Sequence, residues 1–359
     1  MKYKNQHNLI SSIMKKNFLI TSMIFLITSN IFSQDYHFTQ YFANPLRLNP
    51  AIMGANSDLR VGLGYRSQWM NIQQGFTTMS FTGMYPVFIK NGGKLDIGIS
   101  AISDKAGAFT TTDGALAVDY NKKVGKDQNL CLSLMGGYVQ KSLTTSGLTF
   151  DNQYVLGSYN ASNPSNEAIL NNKTNYPDVG FGFVWYMNPS PDKSKLNAFL
   201  GISGFHLNQP NQSFTGTAAP LPLRMTYIGG IKIIGEKKID ISPNVRVIAQ
   251  AGNIDLAAGL TVDYNLSDKM KLVIGAWYRQ NDAIAFLIGI EHKSFTFGYS
   301  YDVVTSSITN MAAQTNANEI TLSYKLHRGP KITVAMLDSD DSKKGDQDDS
   351  KKSNPFSSF

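Results

Sequence analysis

The sequence predicts an all-β protein: a transmembrane antiparallel β-barrel of about 14 strands that follows a cleaved signal peptide. Apolar and polar residues alternate with a period of two through segments of about ten residues, the length that a tilted strand needs to cross a bilayer. Short and long connections alternate between these segments. Only one stretch of the 359 residues is continuously apolar, which excludes a helical protein with several membrane spans.

That apolar stretch covers residues 18–32 and indicates a secretory signal. Lys15 and Lys16 precede it, and Ser33 is a small residue at the expected cleavage site. A membrane anchor is the weaker alternative, because the run is short and no stop-transfer flank follows it. Residues 1–33 contain four lysines and no acids, so their removal lowers the formal net charge from +7 to +3. Nucleic-acid binding thereby loses its main support.

Residues 34–57 precede the first predicted strand and contain two Asn-Pro pairs, Asn44-Pro45 and Asn49-Pro50. We assign this segment to the periplasmic side, as an element that plugs the lumen or docks other proteins. A 14-stranded barrel is wider than an eight-stranded barrel that side chains fill and narrower than a 16-stranded porin. A plug is therefore physically reasonable.

The predicted barrel spans residues 58–327. In residues 256–266, for example, Leu256, Leu260 and Val262 lie on one face, and Gly259 and Asp263 lie on the other. Tyr or Trp often ends the apolar face, as in the aromatic girdles of outer-membrane barrels. A soluble sandwich, with strands of about five to six residues, is the less favoured alternative. The 14 segments begin near residues 58, 75, 94, 112, 129, 178, 195, 223, 239, 253, 269, 282, 294 and 318.

The connections test this arrangement independently. Every second connection is short, whereas the long ones, residues 142–177, 208–222 and 303–317, all belong to the other class. Short periplasmic turns, long extracellular loops and an even strand number are typical of bacterial outer-membrane barrels. The sequence therefore predicts location in the outer membrane, in contact with its lipid, with both termini periplasmic.

Residues 328–359 follow the last predicted strand and are of low complexity. Six positive and six negative side chains balance there, so we expect a solvated periplasmic tail.

Glycines recur on the inner faces of the predicted strands. They permit either curvature of the strand or close approach of something in the lumen. Curvature is the default interpretation for this set, which comprises Gly62, Gly64, Gly180, Gly182, Gly259 and Gly298.

Motifs for chemistry are lacking in the sequence. The four histidines after residue 33 form no metal-binding pair, and there is no nucleophile-elbow or phosphate-binding loop. The single cysteine, Cys131, can form neither an intramolecular disulfide nor a cysteine-based metal site. The sequence therefore predicts no enzyme activity, no cofactor and no metal.

Several strings, in order along nearly the whole chain after residue 33, resemble the PorP/SprF family of outer-membrane proteins. Residues 40–54 are similar to its Q-Y-x-x-N-P-x-x-x-N-P-A-x-x-G string, and residues 201–210 to its G-x-S-x-x-H-L-N-x-P string. Residues 66–69, 148–153, 277–279, 298–302 and 318–324 fit further family motifs. Asn318 departs from the histidine usual in the family, and the charged tail is outside the pattern.

The resemblance implies a non-enzymatic barrel of the type IX secretion system of Bacteroidetes. Such a barrel supports secretion or surface attachment of partner proteins, including gliding adhesins and cargo with a type B C-terminal domain. Implied partners are periplasmic ring proteins and lipoproteins of that system and a secreted surface protein. The partner-docking candidates are Gln40, Tyr41, Asn44, Pro45, Asn49, Pro50, Gly54, His206, Asn208 and Pro210.

Two alternatives stay open at this stage. His206 lies at the end of a predicted strand, where a rim residue that fixes a loop by hydrogen bonding is the plainer interpretation. A passive porin-like channel for small solutes is the alternative function. Inner-face Arg60, Arg66, Arg224 and Arg246 would then line an anion path.

Overall fold

A computed structural model gives the architecture of the protein. The predicted signal peptide and all but two residues of the predicted tail lie outside the residues that it describes. Contacts divide the chain after Asp35, and the account below concerns the unit that begins at Tyr36. The described residues are 35–56, 58–70, 75–89, 93–155, 157–167, 169, 171–188, 196–235, 238–306, 316–326 and 333–334.

Within these residues, 14 antiparallel strands form a closed barrel, which confirms the predicted fold class. Each strand pairs with its neighbours in sequence, and the first strand also pairs with the last, where Arg66 lies opposite Glu319. The strands are β1 Leu59–Gln68, β2 Phe76–Ile89, β3 Gly93–Ala106, β4 Phe109–Lys123, β5 Gln128–Leu143, β6 Lys173–Met187, β7 Leu196–Phe205, β8 Arg224–Ile234, β9 Ile239–Gln250, β10 Asn253–Ser267, β11 Met270–Arg279, β12 Ala283–His292, β13 Phe295–Val304 and β14 Ala317–Leu326.

The predicted strand starts agree with the structure within one residue, except at two strands. β4 begins at Phe109 rather than Thr112, and β6 at Lys173 rather than Asp178. In both cases polar residues continue the backbone ladder, for example through the pairing of Thr110 with Ser142. Alternation of apolar residues marks only the lipid-facing height of a strand, so this polar extension was missed.

The burial pattern is the inverse of that in a soluble protein: apolar side chains are exposed on the outside and polar side chains are buried inside. Leu132 and Leu134 expose 59% and 71% of their surface on the outside of β5, whereas Ser133 between them faces inward and is buried. Because lipid replaces water around such a wall, exposed leucines are expected there and polar groups belong inside.

The barrel has two unlike ends. We call the end with the β5–β6, β7–β8 and β13–β14 connections the loop end, and the end with the short connections the turn end. In the β5–β6 connection, a 3₁₀ helix at Asp151–Gln153 precedes a small ladder of Tyr154–Val155 with Ser158–Tyr159. At the turn end, Thr333–Val334 pairs in parallel with the last residues of β2.

Residues 36–56, here called the lumen segment, lie inside the barrel. They form a 3₁₀ helix at Tyr41–Ala43, the short helix α1 at Pro45–Leu48 and a 3₁₀ helix at Pro50–Ala55. Each proline of the two Asn-Pro pairs stands at a first helical position, where its missing N–H costs nothing. In the described part of the chain, no helix is long and apolar enough to span a membrane.

The lumen segment runs from the loop end to the turn end. Thr39 bonds to Asp302 near the loop end of β13, and the Asn56 carbonyl accepts from Lys94 near the turn end of β3. From the sequence we expect this segment on the periplasmic side, as an element that plugs the lumen or docks other proteins; its described residues lie within the barrel. The polar inner faces of the strands supply the hydrogen-bond partners that hold it there.

Candidate functional site

A cluster of ionised side chains holds the start of the lumen segment, and we call it the Thr39 cluster. The Thr39 hydroxyl donates to Asp302 Oδ2 at 2.7 Å and accepts from Arg66 Nη1 at 2.6 Å and Arg279 Nη1 at 3.0 Å. The Thr39 N–H donates to Glu319 Oε2 at 2.7 Å. All five residues are at least 96% buried. The cluster ties the segment to β1, β11, β13 and β14.

The charges of the Thr39 cluster balance. Arg66 pairs with Asp302 at 2.8 Å and with Glu319 at 3.1 Å, and Arg279 pairs with Asp302 at 2.9 Å. Buried ion pairs are stable only where hydrogen bonds satisfy the remaining donors and acceptors, and removal of one partner is costly. Thr39 supplies several of those bonds, so its loss would disturb the whole cluster.

Gln40 continues the anchoring. Its backbone N–H donates to Glu319 Oε1 and its side-chain Nε2 to the Glu319 carbonyl, both at 3.0 Å. Thr321 Oγ1 donates to Gln40 Oε1 at 2.6 Å. A Cβ on Gly298 would lie 2.3 Å from that Gln40 oxygen, so any larger residue there would displace the Gln40 side chain from these bonds.

Tyr41 lies deep in the lumen and combines aromatic packing with one polar contact. Its hydroxyl donates to Asn244 Oδ1, which also accepts from Trp277 Nε1 at 3.0 Å. The Arg246 guanidinium lies 4.9 Å from the centre of the Tyr41 ring. Burial raises the pKa of the Tyr41 phenol above its usual range, so the hydroxyl keeps its proton and remains a donor.

The middle of the lumen segment is fixed at Asn44 and Arg47. Asn44 Oδ1 accepts from Thr82 Oγ1 at 2.8 Å. Arg47, in the helix that Pro45 begins, pairs with Asp113 at 2.7 Å.

Asn49 joins the segment to two strands at once. Its Nδ2 donates to the carbonyls of Phe183 and Ile202, both at 3.1 Å, and these two residues face each other in the β6–β7 ladder. Its Oδ1 accepts from Ala51 N–H at 3.0 Å and so caps the helix that Pro50 begins. A Cβ on Gly182 would lie 2.3 Å from this oxygen.

Gly54 makes the closest approach to the wall near the turn end. A Cβ there would lie 2.2 Å from Asp119 Oδ2 and 2.5 Å from Cys131 Sγ, and the Gly54 carbonyl accepts from Asn121.

Among the inner-face glycines of the strands, Gly182 and Gly298 allow the lumen segment to approach the wall closely. Gly259 instead faces Trp277.

The other three predicted site residues lie in the β7–β8 connection at the loop end. His206 Nδ1 is 2.9 Å from Asp178 Oδ1, and Asn208 Nδ2 donates to the Pro177 carbonyl at 2.8 Å. The Pro210 carbonyl accepts from the Leu221 N–H at 2.8 Å. These bonds fix the connection. The structure therefore gathers seven of the ten predicted residues in the lumen and sets three apart at the rim.

Three of the four arginines proposed for an anion path are engaged in other contacts. Arg66 belongs to the Thr39 cluster, Arg246 pairs with Asp255, and Arg224 donates to the Arg47 carbonyl at 3.0 Å. Sequence reasoning missed the acidic partners. The sequence did contain one signal for these partners: residues of opposite charge on the inner faces of adjacent strands lie directly across from each other, as Arg66 and Glu319 do.

A family model described as "Type IX secretion system membrane protein PorP/SprF" matches residues 30–324. The chain belongs to this family. The match confirms the resemblance drawn from the motifs, and it covers both the lumen segment and nearly the whole barrel. A comparison with curated proteins found no match.

Solved structures resemble the PorP/SprF chain in fold. A deletion mutant of the TodX monoaromatic hydrocarbon channel has a TM-score of 0.50 at 10% identity, over 79% of this chain and 94% of that one. A FadL homologue from Pseudomonas aeruginosa has a TM-score of 0.49 at 10% identity, over 77% of this chain and 92% of its own. At such identity these likenesses concern the barrel fold alone.

Proposed function

We propose that this PorP/SprF protein is a non-enzymatic outer-membrane barrel that supports secretion or surface attachment of partner proteins through the type IX secretion system. Gliding adhesins and cargo with a type B C-terminal domain are the partners that the family resemblance implies. One structural observation supports this role best: the protein's own lumen segment occupies the lumen, and the family's opening motif supplies its anchors.

A barrel that transports small solutes needs a continuous path between its ends. The lumen segment crosses that path, and hydrogen bonds of 2.6–3.0 Å to buried ionised groups hold its first residues. Partner proteins would then bind at the two ends of the barrel. We assign the turn end to the periplasmic ring proteins and lipoproteins, and the loop end to the secreted partner.

His206, Asn208 and Pro210 lie on the loop end and are our docking candidates there. The lumen residues Gln40, Tyr41, Asn44, Pro45, Asn49, Pro50 and Gly54 support docking indirectly, because they hold the lumen segment in place. The C-terminus, with the charged tail, lies in the periplasm under this assignment.

Deletion of residues 40–50 tests the proposal. We expect loss of partner secretion or attachment, measured by surface immunolabelling, while heat-modifiable migration in gels shows that the barrel still assembles. The matched control is Thr261→Val, a buried lumen position whose hydroxyl has no hydrogen-bond partner among the described residues. Normal secretion by the deletion strain would overturn the proposal.

Planar-bilayer recording tests the alternative of a small-solute channel. Steady, selective conductance of the intact protein would favour that alternative. Detergent pull-down followed by mass spectrometry would identify the bound components.

A further inference from the structure

A small cavity of about 20 Å³ lies between the lumen segment and the loop ends of β8 and β9. Three arginines line it, Arg47, Arg224 and Arg246, and each is at least 92% buried. Aromatic and apolar groups form most of the remaining lining, among them Tyr41, Leu48 and Ile248, and Asn44 adds an amide. His37, whose side chain is 29% exposed, also lines it, so the cavity adjoins solvent at the loop end.

Each guanidinium is held in a fixed direction. Arg47 pairs with Asp113 at 2.7 Å and donates to Ser100 Oγ at 3.1 Å. Arg224 lies 4.3 Å from the centre of the Phe205 ring. Three immobilised cations around one small space are a preorganised anion site, because no side-chain entropy remains to be lost on binding.

Arg246 has a donor left over. Its Nη1 donates to the Phe38 carbonyl at 3.3 Å and its Nη2 pairs with Asp255. Its buried Nε has no hydrogen-bond partner among the described residues. A buried N–H without a partner is unfavourable, and an oxygen ligand in the cavity would relieve that cost.

We propose that this cavity binds one carboxylate group, from an acidic side chain or chain terminus of the protein that docks at the loop end. The identity of the carrier rests on the proposed function; the anion site itself does not. Guanidinium N–H groups match the oxygens of a carboxylate in geometry and charge. The volume admits one such group or an ordered water.

The test places a thiol in the cavity by Ile248→Cys. Cys131, the single native cysteine, is fully buried, so the unsubstituted protein serves as the unreactive blank. Purified protein is treated with methanethiosulfonate reagents that carry a sulfonate or an ammonium group, at constant ionic strength. Thr215→Cys, exposed on the β7–β8 connection, is the matched control.

We expect Ile248→Cys to react at least about tenfold faster with the anionic reagent than with the cationic one, as charge steering in a cleft predicts. Glutarate at millimolar concentration should slow that reaction, and chloride of equal ionic strength should not. The control should show neither effect. Equal rates with the two reagents, no reaction, or no protection by glutarate, as for a site that holds an ordered water only, would each overturn the inference.

These outcomes are independent of the secretion test. A secretion defect in the 40–50 deletion together with equal labelling rates would reject the carboxylate site and leave the proposed function standing. Charge-selective labelling together with normal secretion would do the reverse: the anion site would stand and its carrier would have to be another molecule.

Discussion

Thr39→Val is the sharpest perturbation of the lumen segment, because valine has nearly the same shape and lacks only the hydroxyl. That hydroxyl bonds to Asp302, Arg66 and Arg279 over 2.6–3.0 Å in a site where all three partners are at least 97% buried. The substitution therefore removes polar contacts without changing the volume of the lumen.

The magnitude follows from the kind of bond that is lost. A hydrogen bond to a charged group contributes about 1.5–3 kcal/mol. Three such bonds disappear, but Arg66 and Arg279 keep their ion pairs with Asp302, so the cost is well below the full sum. We expect seating of the lumen segment to weaken by about 3 kcal/mol, which corresponds to a change of about 150-fold in the ratio of seated to unseated molecules.

The assay is the open probability of single purified barrels in planar bilayers, because an unseated segment leaves the lumen free to conduct. Thr261→Val makes the same change at a buried lumen hydroxyl that has no hydrogen-bond partner among the described residues, and it should leave conductance unaltered. If Thr39→Val conducts no more often than Thr261→Val, the Thr39 cluster does not hold the segment.

Three further experiments test other parts of the site. Gly182→Ala places a Cβ against the lumen segment and should cost about 1–3 kcal/mol, seen as a lower thermal midpoint; Gly136→Ala, with open space around its added Cβ, should be neutral. A double-mutant cycle of Arg47→Gln and Asp113→Asn in thermal unfolding should give a coupling of about 1–3 kcal/mol, and a coupling near zero would contradict the observed pair. Asn208→Ala should leave stability within about 0.5 kcal/mol, because its side chain is exposed, yet reduce surface attachment of the partner; normal attachment would remove it from the docking candidates.

The barrel was predictable because its physical rule is local. Every second residue of a strand faces lipid, so the orientations of Leu132, Ser133 and Leu134 can be predicted without knowledge of any distant residue. At the loop ends of β4 and β6 the strands extend beyond the lipid, so apolar and polar residues no longer alternate there. The predicted starts of these strands are therefore three and five residues too late.

The lumen contacts were not predictable in the same way. Gly182 and Gly298 were recognised as inward-facing, but curvature and close approach leave the same mark in a sequence. The residues that approach them, Asn49 and Gln40, stand 133 and 258 positions earlier in the chain. Only the closure of the barrel brings these positions together, so the choice between the two explanations needed the fold.

The Thr39 cluster also bears on how the barrel assembles. The β1–β14 seam joins strands about 250 residues apart, and pairing at such separation is slow to form. The N–H groups of Thr39 and Gln40 both bind the Glu319 carboxylate on β14, while Arg66 on β1 binds the same group. Thr39 and Gln40, near the start of the lumen segment, thus provide binding groups for the last strand, β14. We expect the wall to close around the lumen segment, with the segment guiding closure of the seam, rather than the segment entering a finished barrel.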